Sequence, residues 1–205
     1  MICSLRSSLS RTISWCLEWF SKYQPNNTYC QANSIAWLTG AGIYHGNINT
    51  EKKSEPGDQI VNDGSILFYP KIDQQQIIPI SIAETQFHFL LLTKNRLIAI
   101  NKLSQEVTFD KYLDSIYGEM KGLSFDYNEE AVFMFSDQGV YEIEIEREDR
   151  DVWKLYLKQS MFAEALQFCE TNEDRDQILN EQADYYYFKG DYNDAAIIYA
   201  KTNRS

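Results

Sequence analysis

Near residue 147 the spacing of apolar side chains changes from a period of about two to one between three and four. A chain with such a break folds as two differently built parts. Val140–Glu146 shows the first pattern: Tyr141, Ile143 and Ile145 fall on one side, Glu142, Glu144 and Glu146 on the other. Asp137-Gln138-Gly139 supplies a hairpin turn before it, and residues 123–127 and 132–136 are predicted strands. Upstream, predicted strands at 35–39 and 43–47 flank Gly40-Ala41-Gly42, a tight reversal in which glycine permits positive φ. Strands at 77–83, 87–93 and 97–101 follow, with short turns at Thr85 and Lys94-Asn95. Residues 50–65, containing Pro56-Gly57 and Asp63-Gly64, are predicted as an exposed loop. About eight or nine meandering strands fit a sandwich, barrel or propeller, and are too few to close a ring of four-stranded blades.

Beyond the break everything is predicted helical. Val152, Trp153, Tyr156 and Leu157 form one apolar stripe. Ser160 is the expected N-cap of a second helix with Phe162, Ala165, Leu166 and Cys169 on one side. Thr171 caps a third, in which Ile178, Leu179, Gln182, Ala183 and Tyr186 keep the helical period. Gly190-Asp191 ends it and begins a fourth, carrying Tyr192, Ala195, Ala196 and Tyr199. A shift of 30 residues lays Phe162 on Tyr192, Glu164 on Asp194, Ala165 on Ala195 and Phe168 on Ile198. Helix pairs repeating at this length build α-solenoids, and the small alanines let neighbouring helices approach closely.

Charge narrows the partners. Nineteen basic against 30 acidic side chains give a formal charge of −11, which repels nucleic-acid phosphates and opposes adsorption to anionic lipid. No window approaches the roughly 18 apolar residues needed to span a bilayer. Cys3, Cys16, Cys30 and Cys169 show neither metal-finger spacing nor disulfide density, so they are expected as thiols in a reducing compartment. Arg6, Arg11 and several serines without an acid in the first 17 residues fit a transit peptide or a mismatched start. Asn26 and Asn203 would be glycosylation acceptors only in a secreted chain.

Catalytic chemistry finds no constellation. His88 lies between Phe87 and Phe89 in an apolar strand, where a structural role is expected, and His45-Gly46 reads as a turn or strand end. Gly40-x-Gly42-x-x-x-Gly46 has the wrong spacing for a dinucleotide fingerprint. Glu144, Glu146, Glu148, Asp149 and Asp151, interleaved with Arg147 and Arg150, lack calcium-loop order. These acids are expected to crowd the first turn of a helix beginning near Asp149, where the macrodipole favours them. No catalytic, metal or cofactor-binding residue is predicted, and no cofactor.

Two stretches, Trp37-Leu38-Thr39-Gly40-Ala41-Gly42-Ile43-Tyr44-His45-Gly46 and Thr85-Gln86-Phe87-His88-Phe89-Leu90-Leu91-Leu92, resemble the deep-orange family of class C vacuolar sorting subunits. Glu148-Asp149-Arg150-Asp151-Val152-Trp153-Lys154-Leu155-Tyr156-Leu157 is similar to the family's passage from propeller to solenoid. Ala183-Asp184-Tyr185-Tyr186-Tyr187-Phe188 and Tyr192-x-x-Ala195-Ala196-x-x-Tyr199-Ala200-x-Thr202 continue the match in order. The resemblance implies the C-terminal blades of an incomplete β-propeller over 31–147 and the start of an α-solenoid over 148–205, with 1–30 unmatched. It also implies a scaffold of the HOPS and CORVET tethering complexes, supporting docking and SNARE-dependent fusion at endosomes, lysosomes or vacuoles. The implied partners are the other class C subunits, with SNAREs and Rab GTPases reached indirectly. The implied location is cytoplasmic and peripheral on late endosomal and lysosomal or vacuolar membranes. The family's RING cysteines and histidines are missing here, so zinc binding and ubiquitin ligation are not carried over.

Packing is the expected role of Trp37, Phe87, Phe89 and Trp153, each burying up to roughly 150–250 Å². Thr85-Gln86-Phe87-His88-Phe89 is expected as an inner strand packed between blades. Arg150 and Trp153, one turn apart, are expected to clamp the first helix against the final blade. The competing reading is a small tetratricopeptide-like adaptor fused to a β domain. It is disfavoured by a repeat of 30 residues where about 34 is required.

Overall fold

The computed structural model describes residues 2–8, 19–21, 32–48, 61–126 and 129–202. They divide into a β-unit, Met1–Glu148, and a helical unit, Asp149–Ser205. Cys16, Cys30, Asn26, Asn203 and residues 50–60 of the expected loop lie outside the described residues, as does the side chain of Cys3.

The β-unit holds three four-stranded antiparallel sheets among the described residues. The first runs in the order β2 (Trp19–Ser21), β3 (Ala32–Leu38), β4 (Gly42–Ile48), β5 (Val61–Phe68). A two-residue pair, β6 (Lys71–Ile72) and β7 (Gln75–Gln76), leads to the second. That sheet is β8 (Ser81–Glu84), β9 (His88–Leu92), β10 (Arg96–Asn101) and β11 (Val107–Tyr112). The third is β12 (Met120–Asp126), β13 (Ala131–Ser136) and β14 (Val140–Glu146), with β1 (Ile2–Ser8) added antiparallel to β14. Ile2 faces Glu146 and Ser8 faces Val140, so the outermost strand comes from the far end of the chain. Four-stranded meanders stacked in series are propeller blades.

Alternation in the middle sheet places the core. Leu90, Leu92, Leu97 and Ala99 pack toward Leu123, Val132, Met134 and Ile143 of the third sheet. Their neighbours Phe89, Leu91, Ile98 and Ile100 pack toward Ala36, Ile43 and Leu67 of the first. Both faces of β9 and β10 are therefore dry, which explains a nearly continuous apolar run where a half-exposed strand would alternate. In β14 the expected alternation holds: Ile143 is buried, and Tyr141 and Ile145 rest on the same cluster.

Several local expectations are corrected. Residues 61–65 form β5 and not loop; His45 pairs with Ser65 and Asn47 with Asn62, so Asp63-Gly64 oppose Gly46 alone as a bulge, with Asp63 at φ 53°. A strand can carry a turn-like dipeptide in this way. β11 carries no strand signal in the sequence, because its exposed outer position lets polar residues such as Asp110 and Lys111 stand where a buried strand would be apolar. β8 begins at Ser81, four residues late, since Pro79 offers no N–H and Ile78 is 81% exposed. The Thr39–Gly42 reversal does not need positive φ. Thr39 Oγ1 accepts the Ala41 and Gly42 N–H groups, and a Cβ on Gly42 would lie 2.2 Å from the Leu67 carbonyl oxygen. Close backbone approach, not handedness, requires that glycine.

The helical unit contains α1 (Val152–Lys158), α2 (Phe162–Gln167), α3 (Asn172–Lys189) and α4 (Tyr192–Tyr199). Trp153, Ala165 and Ile178 are its core, with Tyr156, Leu157, Phe162, Leu166, Phe168 and Cys169 against them. The predicted Thr171 cap is a full capping box: Thr171 Oγ1 accepts the Asp174 N–H (3.0 Å) and the Asp174 carboxylate accepts the Thr171 N–H (3.2 Å). Gly190, at φ 94°, ends α3 while the Asp191 N–H reaches back to the Tyr186 carbonyl at 2.9 Å. Ser160 does not cap α2; it sits at φ 58° and Met161 takes the N-cap position. Nor do acids fill the first turn of α1, which starts at Val152 after Asp151 at φ 62°.

The 30-residue correspondence has a structural counterpart, because Ala165 in α2 and Ala195 in α4 are both buried. Each marks a place where a larger side chain would separate helices. Ala195→Leu is expected to destabilise the helical unit by about 1–3 kcal/mol, measured by urea unfolding followed by far-UV circular dichroism. An unchanged midpoint would remove this reading of the repeat.

Candidate functional site

Among the described residues, the most elaborate polar arrangement surrounds the turn between β8 and β9. Thr85 and His88 close that turn, with the Thr85 N–H on the His88 carbonyl (2.9 Å) and the His88 N–H on Thr85 Oγ1 (3.2 Å). Thr85 to Phe87 are thus a turn and not the start of a strand, and β9 is the second strand of its sheet. The expected packing between sheets does hold for Phe89.

Into this turn projects Glu148. Its Oε1 accepts the Phe87 N–H at 2.7 Å, the Thr85 hydroxyl, and His88 Nδ1 at 3.0 Å. An ionised carboxylate only accepts, so His88 donates through Nδ1–H; its Nε2, 3.4 Å from Asn101 Nδ2, then accepts from that amide. The His88 side chain is buried and satisfied at both nitrogens, as a structural histidine requires. Glu148 is the acid that sequence reasoning misplaced. Its partners lie about 60 residues away and no local pattern announces them. Burial pushes its carboxyl up, but the bonds from His88, Thr85 and the Phe87 N–H outweigh that and hold it below the usual range.

That direction fixes a pH dependence. The unfolded chain protonates Glu148 near an ordinary value of about 4.3. Because folding lowers its value, the stabilisation is fully present above that pH and is lost as pH falls through the lowered one. Glu148→Gln is expected to be less stable than the parent at pH 7 and to lose less further stability between about pH 5 and 3, by thermal unfolding across pH. Parallel curves for the two chains would contradict this.

A second ion pair lies beside the first. Lys102 Nζ donates to Glu84 Oε1 (2.6 Å) and to the Thr85 carbonyl (2.5 Å), and it sits 5.2 Å from the Phe89 ring centre. Burial lowers the Lys102 value against the attraction of Glu84 and Glu148. Ser34 of β3 donates to the same Glu84 oxygen at 3.1 Å, joining the first sheet to the second. Glu84 Oε2 has no hydrogen-bond partner among the described residues. His45 lies mid-strand in β4 and not at a strand end, with Nε2 3.1 Å from Ser65 Oγ and its ring 5.1 Å from Phe89. Burial lowers its value, the Glu84 charge opposes that, and Lys102 adds to it. Chemically these groups join sheets; among the described residues no nucleophile stands beside a base with an open position for substrate. Among the described residues no three His, Cys, Asp or Glu side chains gather as a metal site, and no helix is long and apolar enough to cross a membrane.

Exposed apolar faces are the other feature. Trp37, expected in the core, is 41% exposed and stacks on Tyr44 at 4.5 Å. Tyr44 is paired with Ile66 on β5, and Phe68, on the same face as Ile66, is also exposed. The opposite face carries Ala36, Ile43 and Leu67 into the core, so strand alternation put Trp37 outside. On the helical unit Tyr187, Phe188 and Tyr192 are exposed, with Tyr187 edge-to-face against the other two. Contiguous apolar surface of this kind marks protein contacts.

Propeller blades followed by stacked helix hairpins, with polar groups spent on joining elements, define an interaction scaffold. Comparison with known proteins identifies which scaffold. The Pep3/Vps18/deep orange beta-propeller domain matches residues 8–145, and the first half of the VPS18 alpha-solenoid domain matches residues 148–205. The chain belongs to the Pep3/Vps18/deep orange family. It is 32% identical to a vacuolar sorting protein 18 of Arabidopsis thaliana over 182 residues, covering 84% of this chain and 18% of that protein. Similarity to the Danio rerio vacuolar protein sorting-associated protein 18 homolog is 29% over 171 residues, 82% of this chain and 17% of that one. A vacuolar membrane protein pep3 of Schizosaccharomyces pombe matches at 22% over 173 residues, 84% of this chain and 19% of that protein. The chain therefore spans under a fifth of the length of these relatives. The propeller match begins inside the first 30 residues, for which the sequence by itself shows no resemblance.

Proposed function

We propose that this chain is part of a non-catalytic scaffold subunit acting in vacuolar protein sorting. It works within the HOPS and CORVET tethering complexes, where protein–protein contacts support vesicle docking and SNARE-dependent fusion. The observation that carries the reading is the order of the two units: blades, then helix hairpins repeating at 30 residues, both with exposed aromatic faces. Family membership supports the sorting role, since the similar proteins are named for it. The propeller portion is taken as 31–147, with β1 and β2 of the first 30 residues adding edge strands to its sheets, and the solenoid portion as 148–205.

Its partners are the other class C subunits, with Rab GTPases and SNAREs reached through them. The net charge of −11 favours attachment to late endosomal and lysosomal or vacuolar membranes through those partners and not by anionic lipid. Tagged protein, purified from its own cells after gentle lysis, is expected to bring down class C sorting subunits and to sediment with endosomal membranes. Recovery as a soluble species without those subunits would overturn the proposal.

A further inference from the structure

We propose that Glu148 is a releasable latch that holds the end of the β-unit shut, and that it opens without the sheets unfolding. Three geometric facts carry this. All three donors on Glu148 come from one short turn, the Thr85 hydroxyl, the Phe87 N–H and His88 Nδ1, and all converge on a single carboxylate oxygen. One side-chain rotation therefore breaks every bond at once. The carboxylate is not sealed in, since the Glu148 side chain is 19% exposed while that of His88 is 4%, so water can take over its bonds.

The backbone around it is held away from its preferred state. Arg147, immediately before Glu148, has φ 49°, and Asp151 has φ 62°, both left-handed and neither glycine. Such residues persist only while neighbouring contacts impose the conformation. With Glu148 released, one of the contacts that impose the left-handed φ of Arg147 is gone, so the closed form keeps its bonds against that backbone strain. The turn itself survives release, because the Thr85 and His88 backbone bonds and the Lys102 contact to the Thr85 carbonyl do not involve Glu148. The latch is thus separable from the fold around it, which makes it a place where the chain's exit from the β-unit can be loosened.

Hydrogen exchange on the intact chain tests this. In the parent protein the Phe87 amide, whose acceptor is Glu148, is expected to exchange at least about tenfold faster than the Leu90 and Ile98 amides of the middle sheet, because it opens locally. In Glu148→Gln, which keeps the shape and removes the charge, Phe87 and residues 147–149 are expected to exchange about tenfold faster again and to stay ahead of Leu90 and Ile98, which rise only with the variant's loss of global stability. Phe87 exchanging in the parent only as fast as Leu90 would show that the latch opens solely by global unfolding and would overturn the proposal. So would Phe87 exchanging no faster than Leu90 in the variant.

Discussion

Phe89→Ala is expected to remove about 3–5 kcal/mol from the β-unit, the largest effect of any single truncation in that unit. Phe89 is 1% exposed and lies among Ile43, Ile82, Leu91, Ile98 and Ile100, where the first and second sheets meet. Truncation would leave a cavity between two rigid sheets that cannot collapse into it. It would also remove the ring that His45 and Lys102 approach at 5.1 and 5.2 Å. Since whole domains are stable by only about 5–15 kcal/mol, the variant should sit near its unfolding threshold. Urea unfolding by intrinsic fluorescence measures it, with Trp37→Ser, on the exposed face, expected to change stability by under about 1 kcal/mol. A Phe89→Ala loss no larger than that of Trp37→Ser would refute the proposed core.

Trp153→Ala is expected to act comparably on the helical unit, at about 3–5 kcal/mol. Trp153 is buried with Ala165 and Ile178, so its indole joins α1, α2 and α3 in one cluster. Short helices such as α1 and α2 are not stable alone, and tertiary packing supplies what helix propensity does not. Removing the indole should therefore lower hydrogen-exchange protection at Ile178, Leu179 and Ala183 of α3, far along the chain from the substitution. Unchanged protection at those three amides would show that the cluster is not the unit's core.

Legibility followed the range of the interactions. The helical unit was readable because its determinants are local: Thr171 and Asp174 are three residues apart, and Gly190 needs only its own left-handed φ. Ala165 and Ala195 stand 30 residues apart, so the internal repeat alone pairs them. Strands buried on both faces, β9 and β10, announced themselves by apolar runs, and β14 by alternation. Apart from the cap of α2, where Met161 and not Ser160 takes the position, misreadings arose where a distant partner changed the meaning of a local signal. Asp63-Gly64 looks like a turn and is a bulge because β4 lies opposite. Glu148 looks like a helix-start acid and is instead taken by His88 and the Phe87 N–H.

By itself, the sequence determined the break near residue 147, the two kinds of unit on either side of it, the helix-hairpin repeat and the absence of a recognisable catalytic pattern. Hydrophobic period, capping residues and net charge are properties of short stretches or of composition, and they survive without any knowledge of contacts. Only the tertiary structure decided that β1 completes the third sheet beside β14, that Trp37 faces outward, and that one carboxylate closes the β8–β9 turn. Each of these depends on which distant residues meet. A strand edge, a sheet face or a buried acceptor acquires its role only from the partner set opposite it.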